Sequence, residues 1–233
     1  MSGKVSAGQI LGKDAFVLFK DRSFSIFFIS SVLICIPLSF YYAMGNPSIT
    51  DAYKAAFIAH NPGAALPDTF YVENKMSFGQ VSEVLFMLLL PLAYRRFGIK
   101  NILILGLLAW IIRFIFFGYG NADSSEWMLY GGIILHGICY DFFFVSGMIY
   151  TDEKAGEKIK SSAQGLISLA TYGLGMFIGS VLSGIVKDRY TDGIGETAVT
   201  NWTGVWMAPT YIALAVLVLF LLFFKEGKKK AVV

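Results

Sequence analysis

The run Tyr211–Phe224 is apolar throughout. A helix on the surface of a soluble protein carries a polar stripe that returns every 3.6 residues, and this run has none. It ends a block, Trp202–Phe224, that is the last of six. The others are Phe24–Met44, Met76–Arg95, Ile99–Gly118, Trp127–Tyr150 and Ser161–Val186. Each is near or above the ~20 residues that carry a helix across hydrocarbon. Only 15% of the 233 residues are charged and 56% are hydrophobic, against about 25% charged in ordinary globular domains. That balance excludes a typical soluble enzyme and a disordered chain. A soluble bundle of six such helices would have too little polar surface. The expected fold class is an all-α polytopic membrane protein with six transmembrane helices.

Lys and Arg placement orients the spans. With an even number of spans both termini share a side. That side holds fourteen of the nineteen Lys and Arg, the opposite side holds four, and Arg113 lies inside a span. The positive-inside rule places both termini in the cytoplasm. Residues 1–23 lack a long apolar core and a cleavage site, so they read as a cytoplasmic linker or interfacial segment rather than a signal peptide. Within it, Ala15–Phe19 is a short apolar patch between Lys13 and Lys20 that suits either role. Residues 24–224 form the bundle, and 225–233 a basic cytoplasmic tail. The segment Gly45–Lys75, punctuated by Pro47, Pro62, Gly63 and Pro67, reads as the longest outer loop, with a short surface helix over Asp51–His60. Asn201-Trp202-Thr203 fits a glycosylation sequon but abuts a span.

Two His and two Cys, with Cys35 and Cys139 both in apolar runs, exclude a disulfide scaffold and a Cys/His zinc cluster. No metal or cofactor is expected. A net charge of +3 points to no nucleic acid. No H-E-x-x-H pattern and no Ser/His/Asp arrangement at catalytic spacing supports an enzyme. The lipid bilayer is the one partner that composition implies.

Ionisable groups inside spans carry the functional signal, because a charge at a helix centre costs roughly 2.5–3.5 kcal/mol on insertion scales. They are Glu83, Arg113 and Asp141, with His136 beside them. At about 1.5 Å of rise per residue, Glu83 lies about 10 Å deep, Arg113 about 8 Å, His136 about 13 Å and Asp141 about 21 Å. The first three share a level on three helices. Glu83 and Arg113 read either as a structural ion pair or as solute- or proton-handling groups. Asp141 has no acidic or basic neighbour at its own depth. Gln80 shares a face with Glu83, and His136 with Tyr140. Tyr140, Phe143 and Phe144 either pack or face a flat solute, and Tyr41 and Tyr42 end the first span as interface aromatics. Gly175 and Gly179 form a small-xxx-small pair, extended by Ser183, that lets helices approach closely.

Several strings are more specific. Ser77-Phe78-Gly79-Gln80-Val81-Ser82-Glu83, Tyr94-Arg95-Arg96-Phe97-Gly98-Ile99-Lys100-Asn101 and Trp110-Ile111-Ile112-Arg113-Phe114 stand in one order and spacing with Tyr140-Asp141-Phe142-Phe143, Ser146-Gly147 and Ser162-Ala163-Gln164-Gly165. Together they resemble the nucleoside:proton symporter family of the major facilitator superfamily. The resemblance runs from about Leu11 and covers only the second half of twelve-span members. It implies a major-facilitator half-bundle, an inverted 3+3 repeat, in a cell inner membrane. It implies nucleoside and protons as transported partners, and a missing N-terminal six-helix bundle or a second copy of the chain as the other half. The resemblance assigns Gln80, Glu83, Tyr140 and Asp141 to the substrate region. His136 and Phe144 join the substrate-binding candidates by shared helix faces. Asp141, Glu83 and Arg113 are the proton-coupling candidates. Ser39 and Tyr42 stand where larger amide-bearing residues are expected. The alternative class is a half-length membrane protein that does not transport: a solute-binding receptor or an assembly scaffold.

Overall fold

The computed structural model describes residues 13–225. It is nearly all helical. Four helical runs among these residues are long and apolar enough to cross a membrane: Arg22–His60, Val72–Tyr119, Glu126–Arg189 and Trp202–Phe223. We label the helices α1 (Arg22–His60), α2 (Val72–Tyr119), α3 (Glu126–Tyr140), α4 (Ser146–Ser168), α5 (Met176–Arg189) and α6 (Trp202–Phe223). Two π-helical turns, Asp141–Val145 and Leu169–Gly175, join α3 to α4 and α4 to α5.

Each boundary has a local cause. The carboxylate of Asp21 caps α1, accepting from the amides of Ser23 (2.8 Å) and Phe24 (3.2 Å), which satisfies two of the orphan donors of a helix N-terminus. Asn201 caps α6 in the same way, its side-chain oxygen accepting from Gly204 N–H at 3.1 Å. The Asn of the sequon is thus spent on a helix start. Inside α2 the chain breaks at Gly98 (φ 74°, ψ 165°), and inside α4 at Gly156 (φ 63°, ψ 175°). That backbone region is open essentially to glycine alone. Pro91 is accommodated within α2 without such a break.

The expected loop over Gly45–Lys75 is corrected. α1 runs on through Pro47 to His60, about 58 Å of helix by its rise, well beyond a hydrocarbon core of about 30 Å. The extension is held from the side. Asp51 accepts from Trp202 Nε1 at 3.0 Å, Asn46 donates to Glu73 at 2.8 Å, Tyr53 bonds Glu126, and Lys75 sits 4.6 Å over the Tyr53 ring. These contacts with the starts of α2, α3 and α6 offset the ~3 kcal/mol an interior proline costs. At the same end a two-residue hairpin pairs Thr191 with Thr200 and Asp192 with Val199.

The opposite end is tied by polar side chains. Lys154 bonds Asp21, Gln164 donates to Asp152 (2.7 Å) and Met148 O (2.8 Å), and Tyr94 donates to Glu153 (2.9 Å). The short 3-10 helix Lys13–Lys20 lies here, with Ala15 and Leu18 buried and Phe16 and Val17 exposed. The rest of the 1–23 segment before Lys13, and the tail beyond Lys225, lie outside the described residues.

The core is an aromatic column. Trp110 stacks on Phe114 at 5.4 Å, Phe114 on Trp206 at 5.7 Å, and Trp206 packs on Phe117 at 5.1 Å. The Gly175/Gly179 pair gives the close approach expected of it. A Cβ on Gly175 would lie 2.6 Å from Val32 O, and one on Gly179 2.6 Å from Ser39 Cβ, so the π turn and α5 seat directly on α1. Large apolar side chains cover much of the outside, among them Leu88, Leu92, Leu169, Phe177 and Leu222. That surface suits lipid or a second bundle as its solvent, not water.

Candidate functional site

A seam between α2 and α3 builds the site. Ser82 Oγ donates to Gly79 O (2.7 Å) and accepts from Gly137 N–H (3.1 Å). A Cβ on Gly137 would come within 2.6 Å of the Ser82 carbonyl and 2.8 Å of Glu83 N. Backbone therefore meets backbone where the two helices cross, which sets Glu83 beside His136. The Glu83 carboxylate Oε2 lies 3.6 Å from His136 Nε2, with the Glu83 side chain 26% exposed and the His136 side chain 6%.

Behind His136 lies Arg113, fully buried. Its Nη1 contacts His136 Nδ1 at 2.8 Å and Cys139 Sγ at 3.4 Å. The guanidinium carbon sits 3.6 Å over the Tyr41 ring, and 5.3 and 5.5 Å from the Trp110 and Phe117 rings. Nε and Nη2 have no hydrogen-bond partner among the described residues. A buried guanidinium without a carboxylate beside it leans on such ring faces and soft acceptors for its stabilisation.

The expected depth match between Glu83, Arg113 and His136 thus becomes a linear chain in space, with His136 in the middle. The direct Glu83–Arg113 pair is not formed. Tyr41, expected as an interface aromatic, is instead 4% exposed and serves as the floor under Arg113, while Tyr42 is exposed.

A second line of groups runs from His136 along α3 into the π turn. Tyr140 lies 5.5 Å from the His136 ring and 5.3 Å from Phe144. The Tyr140 and Tyr172 hydroxyls share a hydrogen bond at 2.9 Å, which links the end of α3 to the second π turn. Tyr172 was invisible to the sequence reading. It sits in a stripe of glycine and small residues that reads as packing, and the signal there was one large polar aromatic among them. Phe144 is 7% exposed and touches Trp110 edge-on at 6.5 Å. Gln80 is exposed and, with its amide oriented to donate, reaches the carbonyls of Met76 (3.0 Å) and Ser77 (3.1 Å) on its own helix.

Asp141 stands apart. It is fully buried at the first position of a π turn, and neither carboxyl oxygen has a hydrogen-bond partner among the described residues. π turns inside α-helices recur at functional sites. A charge left unpaired in such surroundings is costly, so the group gains by carrying a proton or by meeting water.

The described face therefore offers a partly exposed carboxylate, a pair of tyrosine hydroxyls and aromatic rings, with the buried Asp141 carboxyl next in sequence to Tyr140. It suits a planar solute that donates hydrogen bonds. Residues 1–229 match the family described as Nucleoside H+ symporter. The chain is 37% identical to YegT of Escherichia coli (strain K12) over 232 residues, 97% of this chain and 51% of that protein. It is 35% identical to the xanthosine permease of the same organism, covering 94% of this chain and 51% of that protein. The crystal structure of a mutant of nucleoside transporter NupG superposes with a TM-score of 0.83 at 31% identity, over 97% of this chain and 54% of that one. The chain spans about half the length of the curated relatives it matches. On its sequence and its fold alike, the chain belongs to the nucleoside:H+ symporter family.

Proposed function

We propose that this chain forms one six-helix bundle of a proton-coupled nucleoside transporter in a cell inner membrane, with both ends in the cytoplasm. The breaks at Gly98 and Gly156 divide two of the four long helices, which supports a reading as six passes. Passes one to three and four to six then run in opposite senses, as in an inverted 3+3 repeat. The second bundle comes from the rest of a longer chain or from a second copy of this one. Nucleoside sits between the bundles near the midplane, and the bundles rock around it.

The observation that carries this reading is the partly exposed Glu83 carboxylate on His136, whose ring lies 5.5 Å from Tyr140 of the Tyr140–Tyr172 hydroxyl pair. Glu83 and Gln80 accept from solute hydroxyl and amino groups. Tyr140 offers a ring to the base, as aromatic side chains do to nucleobases. Phe144 supports that ring from below and meets solute only when the π turn moves. Asp141 carries the proton: neutralisation removes the charge that burial penalises and so biases which side of the membrane the site faces.

Uptake of tritiated uridine into membrane vesicles containing the native gene product tests this. An outside-acid gradient is expected to drive accumulation above the external concentration. Glu83→Gln is expected to lower uptake tenfold or more. Asp141→Asn is expected to bind uridine but not accumulate it; full proton-driven accumulation by this variant overturns the coupling role. Binding without flux in the unsubstituted protein favours the receptor or scaffold. An immunoblot decides the source of the second bundle: a band near twice 25.7 kDa means a longer chain, and a band at that mass means self-pairing.

A further inference from the structure

Arginine cannot act as a hydrogen-bond acceptor and does not lose its proton in proteins. The 2.8 Å contact between Arg113 Nη1 and His136 Nδ1 therefore has one polarity: the guanidinium donates and Nδ1 accepts. An imidazole that accepts at Nδ1 carries its proton on Nε2. In this protein Nε2 points at Glu83 Oε2, 3.6 Å away. That is longer than a hydrogen bond but close enough for the N–H dipole to steer the carboxylate.

The far end of the chain cannot move to relax this arrangement. Arg113 is fully buried, with Tyr41 against its face at 3.6 Å and Cys139 Sγ accepting at 3.4 Å. Neither can the near end, because Gly137 and Ser82 are in backbone contact where α2 and α3 cross. His136 itself is 5% exposed, which leaves it little surface for solute.

We infer that Arg113 and His136 are positioning residues for Glu83: Arg113 fixes the tautomer of His136, and the Nε2–H of His136 turns Oε2 inward so that Oε1 is presented to solute. The identity of that solute rests on the nucleoside-transport reading; the relay itself does not. A carboxylate steered in this way acts as an acceptor of fixed direction, so it selects solutes that place a hydroxyl or amino donor at one point.

The test has two arms. The chain contains two histidines, His60 and His136. His60 lies at the far end of α1 against Asp123, remote from the site. In the full-length protein in lipid nanodiscs, the 15N-histidine NMR signal at neutral pH that is absent from His136→Gln reads His136. One neutral ring protonated at Nε2 is expected, changing to a tautomer mixture in Arg113→Met. A ring protonated at Nδ1, or at both nitrogens, overturns the relay.

The second arm measures uridine affinity. The Gln side-chain N–H reaches the Nε2 position and the shorter Asn reaches only Nδ1. His136→Gln is expected to stay within about threefold of the unsubstituted protein, and His136→Asn to weaken binding about tenfold or more. Equal losses in the two variants overturn the inference. Failure of the unsubstituted protein to bind or transport any nucleoside removes the transport reading and leaves the NMR result standing.

Discussion

Gly137 leaves no room for a side chain, and through it the site depends on a single hydrogen atom. Gly137→Ala would drive a methyl to 2.6 Å from the Ser82 carbonyl, so the helices must part where Glu83 is aimed. Overpacking of this kind costs about 1–3 kcal/mol. The variant is expected to melt earlier and to bind uridine at least tenfold more weakly, while Gly165→Ala, with nothing within 4 Å, serves as a neutral control in thermal melts and binding. At Tyr172 the loss is smaller. Tyr172→Phe removes one hydroxyl of a partly exposed pair, worth about 0.5–1.5 kcal/mol, so a three- to tenfold rise in KM with little change in thermal stability is expected; an unchanged KM removes Tyr172 from the solute face. The ionisable residues were legible in the sequence because charge inside an apolar run is expensive and therefore conspicuous. Their order in space was not. Rise per residue fixes depth along a helix axis, but rotation about that axis depends on packing, and packing at Gly137 decides that His136 stands between Glu83 and Arg113. Tyr172 escaped because nothing in the sequence marks the π turn that carries it.

Among the elements, two glycines punctuate the long helices. Gly98 and Gly156 hold positive φ with extended ψ, a conformation that costs other residues on the order of 1–3 kcal/mol. Gly98→Ala and Gly156→Ala are expected to lower the melting temperature in detergent, whereas Gly184→Ala, at ordinary φ with open space around it, leaves it level or raises it slightly. Burial pushes the Asp21 carboxyl up, but the Lys154 ammonium and the Phe24 and Ser23 amides outweigh it and hold its pKa below the ordinary value of 3.8. A depressed pKa contributes stability above 3.8 that is lost as pH falls through the lowered value. Asp21→Asn is therefore expected to be less stable than the unsubstituted protein at neutral pH, with the gap closing below pH 3.8; a gap that persists in acid would assign Asp21 a purely steric role. The sequence reading located the apolar blocks, since hydropathy is a local property. After Met44, Pro47 reads as a breaker and only Asp51–His60 reads as helix; the tertiary contacts of Asp51, Tyr53 and Asn46 explain why the helix runs unbroken through Pro47 into that stretch.

At the scale of the molecule, one bundle presents a wall. Glu83 and the Tyr140–Tyr172 pair lie on it partly exposed, and apolar side chains such as Leu169 and Phe177 are exposed on the same bundle. On the proposed reading this surface is covered by lipid and a second bundle; the chain matches about half the length of its relatives. On the same reading, the coupling of solute to protons resides in two carboxyls of opposite character, Glu83 partly exposed and Asp141 buried without a hydrogen-bond partner among the described residues. The most direct test of this account is uridine accumulation by the native gene product in proteoliposomes, measured with and without an outside-acid gradient, for the unsubstituted protein and Asp141→Asn. The account predicts gradient-driven accumulation in the first and equilibration without accumulation in the second. Accumulation that ignores the gradient, or that survives in Asp141→Asn, contradicts it.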